Sequence, residues 1–85
     1  KKALSLSRAL NDSKEKVNRG ITSSKQLRQN IKNIIAAESG TQIDYISICD
    51  PISLEEKEEV KDRTLIALAV KIGPARLIDN CIIGD

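Results

Sequence analysis

The spacing of apolar residues changes period near Thr41, and that change divides the chain into a helical half and a stranded half. From Lys2 to about Arg19, Leu4, Leu6, Leu10 and Val17 recur at helical spacing with Ala3 and Ala9 beside them. Asn11, Asp12, Ser13, Asn18 and Arg19 take the polar positions. This pattern predicts an amphipathic helix. Gly20 should end it, because glycine enters the left-handed region at little cost. A second helix is expected to begin at Ile21-Thr22-Ser23, with Thr22 or Ser23 as its cap. Ser23 also precedes Gln26 by three residues, the spacing of a capping box. Leu27, Ile31, Ile34 and Ile35 form its apolar face, Lys25, Arg28, Gln29, Lys32 and Asn33 the polar one, and Ser39-Gly40 should close it near residue 39. The short connection between the helices predicts antiparallel neighbours.

Beyond Thr41 the residues become β-branched. Ile43 to Asp50 reads as a strand that stops at Pro51. Arg63 to Ile72 reads as a second, with Ile66, Leu68, Val70 and Ile72 on one face and Leu65, Ala67, Ala69 and Lys71 on the other. Gly73-Pro74 then breaks the chain, and Ala75 to Ile83 reads as a third strand, paired with the second as an antiparallel hairpin. The order α-α-β-β-β predicts an α+β fold: two N-terminal helices packed on one face of a three-stranded antiparallel sheet. The other face would carry small or mixed residues such as Ser47, Cys49, Ala67 and Ala69, and can be solvated or meet another domain.

Between the first two strands, Pro51 to Asp62 holds Glu55, Glu56, Glu58 and Glu59. Paired carboxylates work as acid and base only where their environments separate their pKa values. Nothing apolar surrounds these four, so the segment reads as a solvated turn with room for one helical turn.

Composition refines this picture. Eighty-five residues make one domain, with a core that is thin for its surface. Tyr45 is the only aromatic residue, and there is no Phe, Trp, Met or His. The chain opens Lys1-Lys2-Ala3-Leu4, already at helical spacing and with no capping residue before it. We therefore expect a fragment that starts inside a helix of a longer parent. The net charge of +2 is unevenly spread: residues 1–42 hold nine Lys/Arg against three Asp/Glu, residues 43–85 five against nine. A nucleic-acid patch built from Lys14, Lys16, Arg19, Lys25, Arg28 and Lys32 is the alternative that this basic half suggests. Stacking platforms for bases are missing, which favours an ordinary solvated helix surface.

Cys49 and Cys81 form no C-x-x-C pair, and two ligands do not make a structural zinc site. They are expected to be free thiols in a reducing compartment, with a disulfide left open by the sequence. No apolar run is long enough to span a bilayer. Without His there is no Ser–His or Cys–His nucleophile pair, and no phosphate-cradling glycine motif is present. Arg8, Arg19, Arg28, Arg63 and Arg76 are scattered; Lys71 and Arg76, flanking Gly73-Pro74, are the most compact basic pair.

The opening A-L-S-L-S-R-A-L, the strand I-D-Y-I-S-I-C-D and the closing G-P-A-R-L-I-D-N resemble the C-terminal domain of the pantothenate synthetase family. The connection at Asp50 to Glu55 agrees, and the resemblance runs through nearly the whole chain in order. It implies a cytoplasmic ligase that joins pantoate to β-alanine through an ATP-derived pantoyl-adenylate, with magnesium. It also implies an N-terminal Rossmann-like domain that binds the nucleotide, carries the H-x-G-H motif and a Lys- and Ser-rich loop, and forms a homodimer. This chain would be the hinged lid over that domain, with no nucleic-acid or membrane partner. The implied catalytic, cofactor and metal residues all precede the matched region, so none is carried onto this sequence. Leu6, Ser7, Arg8, Asp44, Tyr45, Arg76, Leu77, Ile78, Asp79 and Asn80 match family signature positions and carry no assigned ligand role.

Overall fold

A computed structural model describes residues 3–84. Helix α1 spans Ala3–Asn18 and helix α2 Ser24–Ala36; strands β1 (Thr41–Cys49), β2 (Thr64–Ile72) and β3 (Ala75–Ile83) form one antiparallel sheet in the order β1-β2-β3. The expected α+β order is present. Gly20, at φ +95°, ends α1. There Ile21 N–H donates to Lys16 O at 2.9 Å and Gly20 N–H to Val17 O at 3.0 Å, the pairing that closes a helix through a left-handed residue. Ser23 is the N-cap of α2 and accepts from Gln26 N–H at 3.3 Å.

Several boundaries differ from expectation for local reasons. α2 stops at Ala36, because Thr41 turns back and donates its hydroxyl to Ile35 O at 3.1 Å and Glu38 O at 2.9 Å. β1 starts two residues earlier than expected and omits Asp50. That carboxylate instead accepts from Ile52 N–H at 2.8 Å and Ser53 N–H at 2.9 Å, making a turn. β2 begins at Thr64, one residue late.

The helices cover one face of the sheet, α1 against β3 and α2 against β1. Leu6, Ala9 and Leu10 from α1 meet Leu27, Ile31 and Ile35 from α2 over Ile46, Ile48, Ile66, Leu68 and Val70. Strict alternation in β1 would put Ile43 and Ile46 on opposite faces. A bulge between Ile43 and Tyr45 resets the register, so Ile43 pairs with Val70 and Ile46 with Leu68 on the core side. Ser13, read as a polar surface position, is fully buried instead. Its hydroxyl donates to Ala9 O at 3.0 Å, which lets a small polar side chain enter the core without an unpaired group.

Residues 50–63 hold no helix, but Leu54 N–H donates to Asp50 O at 2.9 Å, the single helical turn that the sequence allowed for. The segment runs back along the free edge of β1. Lys57 N–H donates to Ile48 O at 2.8 Å and Asp50 N–H to Glu55 O at 2.9 Å, and Cys49 bridges with Glu56. It then crosses to α2, where Val60 N–H donates to Thr22 O at 2.8 Å and Val60 enters the core. One exposed edge is thereby covered.

The uncovered face is less open than the sequence implied. Ser47 and Ala67 are half-buried, but Cys49 and Ala69 are buried. Cys49 lies where the Glu56 segment pairs with it, and Ala69 lies between two larger side chains, Tyr45 and Ile78. Cys49 pairs with Leu65 on this face, whereas Cys81 pairs with Ile66 on the helix side. The two thiols point to opposite faces of the sheet, so they form no bond with each other; both are free.

Candidate functional site

Two places gather polar side chains. The first is a shallow groove beside the start of α2, lined by Ser23, Ser24, Lys25, Arg28 and Glu56 to Glu59. Arg28 sits one turn into α2, and its guanidinium donates to Ile46 O at 2.9 Å and to Glu56 Oε1 at 3.0 Å. The other Glu56 oxygen accepts from the Ser47 hydroxyl at 2.6 Å. Partial burial pushes the Glu56 pKa up. The hydrogen bonds from Ser47, Arg28 and Ile48 N–H, with the charge of Arg28, outweigh it and hold the carboxyl below its usual range. Glu56 is therefore an ion-pair anchor that ties the connection to α2 and β1, and a poor proton donor at neutral pH. Glu55, Glu58 and Glu59 stay exposed, as expected of a solvated segment.

Lys57 is committed in the same way, donating to Arg63 O at 2.9 Å and Thr64 Oγ1 at 3.2 Å beside an ion pair with Asp62. Ser24 donates to Lys57 O. Ser24, Arg28, Glu56 and Lys57 are thus engaged in structural bonds, while Lys25 and Glu58 on the same groove are exposed. Asp50 is held low by the Ser53 and Ile52 N–H bonds that make its turn. Burial pushes the Cys81 thiol up, away from reactivity.

The second place is the uncovered face of the sheet. Register aligns Gln42, Lys71 and Arg76 in one row across the three strands, and Tyr45, Ala69 and Ile78 in the next. Arg76 Nε donates to Asp44 Oδ2, at the bulge, at 2.8 Å. Its guanidinium carbon lies 6.0 Å from the centre of the Tyr45 ring, within cation–π range. Tyr45 is 41% exposed and Ile78 57%.

The ten signature positions divide cleanly. Leu6 is core, and Leu77 packs against the core. Ser7 and Arg8 lie exposed on α1. Asp79 lies on the helix side, and its carboxylate accepts from Asn80 N–H at 2.8 Å. Tyr45, Arg76, Ile78 and Asn80 share the uncovered face, and Asp44 reaches it through Arg76. Lys71, outside the signature set, joins them. Its place opposite Arg76 follows from the two-residue Gly73-Pro74 turn, which was visible in the sequence. Of the six residues of the alternative nucleic-acid patch, Lys14, Arg19, Lys25 and Lys32 are exposed and the other two are paired. Lys16 pairs with Asp12 at 3.1 Å and Arg28 with Glu56. Among the described residues no group of three His, Cys, Asp or Glu side chains could hold a metal ion, and no helix is long and apolar enough to cross a membrane.

This chain is 41% identical over 83 residues to the pantothenate synthetase of Acetivibrio thermocellus, a match covering 98% of the chain and 30% of that protein. It is 46% identical over 83 residues to that of Geotalea uraniireducens, covering 98% of the chain and 29% of the relative. The fold matches a crystal structure of pantothenate synthetase from Thermus thermophilus with a TM-score of 0.81 at 25% identity, over 91% of this chain and 28% of that one. The chain thus spans about 30% of the length of the relatives it matches. Residues 1–82 fit the Pantoate-beta-alanine ligase family, and the chain belongs to it.

Proposed function

We propose that this chain is the non-catalytic C-terminal lid of a pantothenate synthetase, a cytoplasmic, homodimeric enzyme that condenses pantoate with β-alanine. In this reading the parent activates pantoate with ATP and magnesium as an adenylate, on an N-terminal nucleotide-binding domain. The observation that carries the proposal is the family match over residues 1–82, a stretch containing no His. In the α2 groove Arg28, Glu56 and Lys57 are taken up by structural bonds, which suits a supporting role for them. A lid suits the chemistry, because an acyl adenylate is lost to water unless its site closes.

The test is a domain exchange. Replacing the matching segment of the Geotalea uraniireducens enzyme with residues 1–83 should give a protein that still makes pantothenate. The 85-residue chain alone should make none from pantoate, β-alanine and MgATP. Turnover by the chain alone, or a folded chimera without activity, contradicts the proposal.

A further inference from the structure

We propose that the uncovered face of the sheet is an oxyanion-binding platform, with Arg76 and Lys71 as its ligands and the Tyr45 ring as its wall. The proposal goes beyond the lid reading by naming which face of the domain meets the reactants.

Lys71 and Arg76 are direct cross-strand partners. Side chains so placed begin about 5 Å apart, and like charges there repel. One carboxylate, Asp44, answers the two cations, and it engages only Arg76 Nε. That bond and the Tyr45 ring fix the guanidinium plane, while the two Nη groups make no hydrogen bond among the described residues. A held guanidinium with a free Nη edge is the donor that carboxylates and phosphates accept from in pairs. Lys71 adds an exposed second charge, and Gln42, next in the row, adds an amide. In the next row Ala69 is fully buried between Tyr45 and Ile78, so a ligand would rest against those two exposed side chains. A bound oxyanion would relieve the Lys71–Arg76 repulsion, which Asp44, engaged at Arg76 Nε, offsets only in part. Phosphate chains and small carboxylates share the chemistry this platform recognises.

Tyr45 makes the test direct. It is the sole aromatic residue, so the aromatic proton NMR signals of the chain belong to its ring alone. Tripolyphosphate and, separately, lactate should be titrated into the 85-residue chain at low salt. The platform predicts a saturable shift of the Tyr45 ring signals, at about millimolar concentration, with at least one of them. The response should weaken as salt is raised. Saturation with tripolyphosphate alone assigns a phosphate chain, and with lactate alone a carboxylate. Arg76→Gln should abolish the shift, Lys71→Gln should weaken it severalfold, and Lys61→Gln, in the exposed connection, should leave it unchanged. Dispersed amide signals in each variant confirm the fold. No saturable shift with either anion, or a shift that survives Arg76→Gln in a folded protein, overturns the proposal. Neither result touches the lid reading, which the domain exchange tests by turnover.

Discussion

The two faces of the sheet are built by the same three strands and differ in nearly every other respect. On the helix side the side chains are aliphatic, buried and interlocked with α1 and α2, and Ile48, Ile66, Leu68 and Val70 expose no surface. On the other side a cation pair, a carboxylate, a ring and an exposed isoleucine share two adjacent rows, and no helix covers them. The helix side explains why the chain folds. The uncovered side buries Cys49 and Ala69 but leaves Asp44, Arg76 and Tyr45 together at the surface. Tyr45 and Ile78 leave apolar surface in water on this face, as Ile52 and Leu54 do in the connection.

Substitutions can break or sharpen this contrast. Ile31→Ala, in the layer between α2 and the sheet, should cost about 2–5 kcal/mol, read from urea unfolding. Gly84→Ala should cost about 1–3 kcal/mol. Gly84 has φ +81°, and a β-carbon there would lie 2.5 Å from Asp62 O. Glu56→Gln tests the edge that joins the two faces. The Glu56 pKa is lower folded than unfolded, so its stabilisation is complete above the unfolded pKa and is lost as pH falls through the folded one. The variant should be less stable by no more than about 1 kcal/mol at neutral pH, since the pair is largely solvated. The gap to wild type should close as pH drops below about 4. Ile78→Ser, on the uncovered face, should change stability by no more than about 0.5 kcal/mol. If it cost as much as Ile31→Ala, the contrast between the faces would fail.

Much of the helix side was legible because burial there follows period. The aliphatic spacing in α2 and β2 named Leu27, Ile31, Ile35, Ile66, Leu68 and Val70 correctly. The misses have local causes. A bulge near Asp44 cannot be counted from alternation, and a buried serine such as Ser13 looks polar until its i−4 carbonyl is in view. The Glu56 cluster was invisible because its partners, Arg28 and Ser47, lie on other elements. The uncovered-face pair was half legible. The hairpin turn set Lys71 opposite Arg76, but only the fold brings Asp44 and Tyr45 across β2 to meet them.

The uncovered face is proposed to meet the reactants, while the helix side holds the domain together. The most direct test is pantothenate turnover by the domain-exchange chimera carrying Tyr45→Ser with Ile78→Ser. A second chimera would carry Lys32→Ser, on the outer surface of α2. The double variant should lose about tenfold or more in kcat/KM, some 1.4 kcal/mol, with an unchanged melting temperature, while Lys32→Ser matches the parent chimera. Equal activity in the two folded variants would contradict the proposal.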